Sequence, residues 1–173
     1  HPDERFLYMV ESSISPRKCL DPNLPLDACP PEQLGWLGFE EYFDTATSTL
    51  NPHNRGHGFF VYGTLPIFLV RYAAEWFDEA IYGQIQAIAR PMSALADLLV
   101  VALVYLLATR LYDRRVGLLA AAFSSLTVMQ IQLSHFFTVD NFTNLFTLLA
   151  VYFAVQLASS RWDATPPNYQ LPI

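Results

Sequence analysis

Charge is what this chain has least of. Only 15% of its 173 residues are Asp, Glu, Lys or Arg, against 53% hydrophobic. That balance is too apolar for an ordinary soluble domain. The little charge there is sums to −6, which excludes nucleic acid as a natural partner. No internal repeat and no low-complexity tract interrupts the chain. A basic start followed by an apolar signal segment is also missing, and the first residue is His1 rather than Met. These ends predict a piece of a longer gene product.

The shortage of charge is uneven. Residues 1–91 hold 12 of the 16 acids, most of the prolines and both cysteines. From Ser93 onward the chain is mostly long apolar runs. Val116 to Val139 is 24 residues without a charge, and Asn141 to Ser160 is another 20. Each is long enough to cross a hydrocarbon core of about 30 Å as a helix. Met92 to Tyr112 is a third candidate, with Asp97 near one end and Arg110 near the other. The expected fold class is therefore all-α integral membrane, with about three transmembrane helices over 92–163. Residues 164–173, rich in proline, are expected to be a loop or linker.

Basic residues set direction. Arg110, Arg114 and Arg115 lie between the first two expected spans, and Arg161 follows the third. The positive-inside rule puts these flanks in the cytoplasm. Residues 1–91 and the turn around Asp140 are then outside, in a chain expected at the cell membrane. Gly58–Val70 is apolar but is interrupted by Pro66 and ended by Arg71. That is short for a span, and an interfacial helix over about 58–74 is expected instead.

The outer region reads as short helices broken by proline. Asp3–Ser13 is expected to be the first, with its acids where the macrodipole favours them. One or two more fit within Gln33–Thr49, and Asn51–Gly58 is expected to be a loop. Cys19 and Cys29, in a proline-rich outward loop, predict one disulfide, with two free thiols as the alternative. No His or Cys pair lies nearby at metal-ligand spacing.

Several polar residues stand out against this background. Asp3 and Glu4 open the first helix, where capping and a solvated first turn are the bland explanation. Asp140 falls where one uncharged stretch ends and the next begins, and an N-cap explains it equally well. Lone acids at a membrane face are costly and often functional. His53, Arg55 and His57 form a polar, cationic group that suits contact with a phosphate. His135 precedes Asp140 by five residues, off its helical face. Asp97 within a span is accounted for by snorkelling or by pairing with Arg90.

Together, the acidic pair Asp3-Glu4, the long outer loop and the turn Ser134-His135-Phe136-Phe137-Thr138-Val139-Asp140 resemble the GT-C superfamily of membrane glycosyltransferases. The similarity is to glycosyltransferase family 39, which holds protein O-mannosyltransferases and aminoarabinose transferases. Arg114-Arg115-Val116-Gly117-Leu118-Leu119-Ala120-Ala121-Ala122 resembles that family's entry to its third span. The resemblance runs from His1 to about Ser160 and covers the N-terminal part of such enzymes. It implies transfer of a sugar from a polyprenyl-phosphate carrier to an acceptor at the outer face. It further implies Asp3 as general base with Glu4 beside it, and Asp140 as a second acid. His53, Arg55, His57 and His135 would contact substrate, and the membrane lipids and lipid-linked donor are the implied partners. Whether a divalent metal takes part is left open, and no metal ligand is assigned. An alternative from another class is a non-catalytic accessory subunit, packed through small residues such as Ala120–Ala122 against a larger membrane complex.

Overall fold

The computed structural model describes residues 2–163, so the expected loop at 164–173 lies outside the described residues. The chain divides into two compact units. One holds the residues up to Met92 together with Phe136–Val139; the other holds Ser93–His135 and the chain from Asp140 on.

The first unit is built on helix α1 (Pro2–Ser13) and helix α3 (Thr64–Trp76). Pro2 has a fixed φ suited to a first helical position, and Asp3 and Glu4 occupy the first turn. The inward face of α1 carries Glu4, Leu7, Tyr8 and Glu11, at helical spacing. Leu7 and Val10 pack with Ile14, Leu50, Ile67, Val70, Ala74 and Ile85 in a core that also takes in Phe137, all buried. A fully buried side chain of this size contributes about 1.5–3 kcal/mol.

Helix α3 starts at Thr64, six residues later than the expected interfacial helix. Gly58–Gly63 stays non-helical, following a left-handed Gly56 with φ 84°. Its buried face is Ile67, Val70, Arg71 and Ala74. Leu65, Leu69, Tyr72 and Trp76 lie exposed on the other side.

Strand β1 (Arg17–Cys19) pairs antiparallel with strand β2 (Leu34–Trp36), with Lys18 opposite Gly35. Part of the Gln33–Thr49 segment is therefore strand, and helix α2 is only Phe39–Phe43. Three-residue strands carry too little alternation to announce themselves. Cys19 and Cys29 are joined by a disulfide with Cα atoms 5.7 Å apart, closing the loop between the strands. Trp36 stacks on Tyr72 of α3 at 6.0 Å and receives the Arg17 guanidinium at 5.0 Å.

Helix α4 (Gln86–Leu111) and helix α7 (Val139–Asp163) are each long and apolar enough to cross a membrane. Pro91 sits inside α4 and cannot donate to the preceding turn; the two units divide just after it. The expected middle span is two pieces. Helix α5 (Arg114–Ser125) and helix α6 (Val128–Ser134) meet at 63°. Ser125 and Thr127 hydroxyls donate back to the carbonyls of Ala122 and Phe123, a competition that bends helices.

Hydrogen bonds within the second unit decide what the bent pair does. Ser93, early in α4, accepts from Asn141 at the start of α7 at 2.8 Å. Arg110, at the end of α4, donates to Ser159 near the end of α7 at 2.9 and 3.0 Å. The two long helices therefore run parallel. The chain leaves α4 at one end and enters α7 at the other, so α5 and α6 together must return it. Taken as one broken span, they make a candidate third crossing beside the two long helices. The side chain of Asp113 caps α5 by accepting from the N–H groups of Arg115 and Val116. A Cβ on Gly117 would lie 2.1 Å from Thr109 Oγ1 and 3.0 Å from the Tyr105 carbonyl, so α5 abuts α4 through a bare backbone.

Candidate active site

Neighbouring residues on a helix point about 100° apart, and this separates the two opening acids. Asp3 is exposed. Glu4 is 3% exposed and deeply engaged. Its Oε1 accepts from Tyr8 Oη at 2.7 Å, Arg90 Nε at 2.9 Å and the Phe137 N–H at 3.1 Å. Arg90 Nη2 donates to Oε2 at 3.2 Å. Burial opposes the Glu4 charge, but Arg90, Tyr8 and the Phe137 N–H outweigh it, and the carboxyl titrates below the usual range. Burial and then the Glu4 carboxylate push the Tyr8 phenol up, so it remains a donor. Glu4 is thus a fixed anion that ties α1 to α4 and to the turn before α7. Asp3 rides on the same turn, held by that clamp.

In the second unit, Asp140 is exposed in the first turn of α7, one residue inside the helix rather than at its cap. It lines a cavity of about 280 Å³ with Thr127, Gln130, Leu133, Asn141 and Asn144. Gln130 Nε2 donates to Asp97 at 2.5 Å, and its carbonyl accepts from Ser124 at 3.2 Å. Asn141 donates to the Leu133 carbonyl at 3.1 Å as well as to Ser93. A broken helix at membrane depth needs such side chains to satisfy its polar groups. Asp97 therefore pairs with Gln130, not with Arg90. Seven residues along a helix is about 10.5 Å, and Arg90 is engaged by Glu4 instead.

The polar group His53, Arg55 and His57 is dispersed over different tasks. Arg55 Nε donates to the Ser13 carbonyl at 2.6 Å and stitches a short 3₁₀ turn, Pro52–Arg55, to the end of α1. His57 packs edge-on against Phe6 at 6.2 Å. His53 is exposed, its Nδ1 3.3 Å from Asn51 Oδ1. His135 is exposed in the second unit, its Nδ1 2.6 Å from the Ile131 carbonyl.

Sequence reasoning missed Tyr8, Arg90, Gln130 and Asn141 as partners. Tyr8 alone had a local signal, four residues beyond Glu4 on one helical face. The other contacts span from 33 to 86 positions and leave no mark in any window.

Among the described residues, no group of three or more His, Cys, Asp or Glu side chains could hold a metal ion. The donor set here is carboxylates, amides and hydroxyls at the ends of spanning helices. The spanning helices, taken with the family match over the same segment, make this an integral membrane glycosyltransferase of the GT-C type. Residues 68–164, more than half of the chain, match the dolichyl-phosphate-mannose-protein mannosyltransferase family, and the chain belongs to that family. No curated protein and no solved structure matches it.

Proposed function

We propose that this chain supplies the acceptor-activating part of an enzyme that moves a sugar from a polyprenyl-phosphate carrier to an acceptor hydroxyl at the outer membrane face. The observation that carries the reading is the split acidic pair. Glu4 is consumed by its clamp, and Asp3 is presented outward from a helical turn that the clamp immobilises. Preorganised carboxylates of this kind serve as general bases.

Asp3 takes the proton of the acceptor hydroxyl. The acceptor oxygen attacks the anomeric carbon on the side opposite the phosphate. The bond from that carbon to the phosphate oxygen breaks, and the electron pair leaves with the carrier phosphate, inverting the centre. The resemblance to glycosyltransferase family 39 supports Asp140 as a second acid, borne by the second unit on its own, and His53, Arg55, His57 and His135 as substrate contacts of the units that carry them. Residues 1–91 lie outside, with α3 as an interfacial helix whose exposed Leu65, Leu69, Tyr72 and Trp76 meet the membrane surface.

The test is sugar transfer in membranes from a polyprenyl-phosphate-linked donor, comparing Asp3→Asn with Asp3→Glu. Loss of the base is expected to cost about 10²–10⁴-fold in rate. Asp3→Glu should retain part of the activity, and expression and thermal unfolding should stay at wild-type level for both. Near-wild-type transfer by Asp3→Asn would remove Asp3 from the chemistry.

A further inference from the structure

The first unit holds a second cavity, of about 440 Å³, that neither Asp3 nor Glu4 lines. Its walls are the rings of Tyr42, Phe43 and Phe68, set edge to face with centroids 4.9 Å and 5.8 Å apart. Leu50 and Pro52 are buried beneath it. Thr45, His53 and Thr64 stand around it. The hydroxyls of Tyr42, Thr45 and Thr64 make no hydrogen bond among the described residues, so their donors and acceptors remain available.

The loop that carries this rim is tied down. Asn51 and Asn54 side chains both donate to the Thr45 carbonyl, and Asn54 also donates to the Ser48 carbonyl. Asp44 accepts from the Ala46 N–H and the Thr47 hydroxyl. A rigid loop of this kind lowers the entropic cost of binding. The volume falls within the range of small-molecule sites, about 300–1,000 Å³.

We propose that this cavity binds a hexopyranose unit. A pyranose ring offers a flat C–H face to aromatic walls and a hydroxyl edge to a polar rim. An acyl chain would satisfy the walls but offer no hydrogen-bond partner to the hydroxyls of Tyr42, Thr45 and Thr64. The inference rests on the chemistry of the cavity; of its lining only His53 is also a substrate contact in the proposed transfer, and binding of a free pyranoside is read without any transfer step.

The experiment is saturation-transfer NMR on the full chain in lipid nanodiscs, free of sugar detergents, with the methyl α-pyranosides of mannose, glucose and galactose. At least one should show transfer, strongest on its ring C–H protons. Phe43, 63% exposed, can be removed without opening the core. Phe43→Ala is expected to reduce the signal at least about fivefold, the scale of one lost aromatic contact. Thr45→Val should weaken it less, and Trp76→Ala, far more exposed at 86%, should leave it unchanged. Unfolding midpoints matched to wild type exclude misfolding as the cause. No transfer from any of the three sugars would overturn the proposal. So would a signal that persists undiminished in both Phe43→Ala and Thr45→Val.

Discussion

Arg90 holds the Glu4 carboxylate from 86 positions away, through two nitrogens at 2.9 and 3.2 Å. The carboxylate is buried and the guanidinium about half-exposed. Removing the cation strands an anion in the core of the first unit. Arg90→Met is expected to destabilise by about 2–3 kcal/mol, below the full buried-pair penalty because Arg90 keeps solvent contact. Glu4→Gln combined with Arg90→Met should recover part of the loss. Thermal unfolding of the four proteins of this cycle in detergent measures it. Additive single losses would show that the two residues act independently.

Glu11 has the opposite electrostatics. It is fully buried, and neither carboxylate oxygen has a hydrogen-bond partner among the described residues. Arg71 is close, yet its Nη1 donates to the Glu11 and Ala80 carbonyl oxygens and its Nη2 to Glu75 at 2.6 Å. Arg17 approaches Glu75 from the other side at 3.1 Å. Burial pushes the Glu11 carboxyl well above the usual range, against the pull of Arg71. The folded state therefore holds a proton that the unfolded chain releases above about pH 4.3, so Glu11 lowers stability as pH rises beyond that value. Glu4 acts in reverse, its lowered value giving stability that is lost as pH falls through it. Glu11→Gln should raise the unfolding midpoint at pH 8 and flatten its decline between pH 5 and pH 8. A midpoint lowered equally at both ends would mean that the carboxyl is ionised and paired.

The close approach at Gly117 admits no side chain. Gly117→Ala places a methyl against Thr109 Oγ1 and the Tyr105 carbonyl, and overpacking of this kind costs about 1–3 kcal/mol. Adding Thr109→Ala should restore only part, because the Tyr105 carbonyl belongs to the backbone. Unfolding midpoints of the single and double variants decide this. Full recovery would place the whole conflict at the Thr109 hydroxyl.

The proposed direction of the chain has its own test. With residues 1–91 outside, a cysteine at Glu40 should react with an impermeant thiol reagent on intact cells, and one at Arg114 only after permeabilisation. The native cysteines are joined and do not interfere. Reversed labelling would invert the topology.

Apolar length was legible in the sequence: α7 covers the uncharged run Asn141–Ser160, and α4 takes in most of the apolar candidate Met92–Tyr112 despite Asp97. Helix α1 was legible from its acids, and the structure starts it one residue earlier, at Pro2. The break after Ser125 was not, because an uncharged stretch reads as continuous while its hydroxyls work against the helix locally. The hairpin was hidden by its shortness. At the site, residue type marked Asp3, Glu4 and Asp140 as unusual, but nothing local separated the exposed acid from the buried one. That distinction depends on Arg90 and on the Phe137 N–H, which arrive from distant parts of the chain.

The place of Phe137 sets an order of events during synthesis. Its ring is fully buried in the first unit, and its N–H donates to Glu4 across 133 positions. The amino-terminal region emerges first but lacks this piece of its own interior until two crossings have been made. At roughly 5–20 residues per second, it waits several seconds with an open socket and a half-partnered anion. Closure of that socket therefore waits on synthesis of the whole stretch between Met92 and Phe136, which belongs to the other unit.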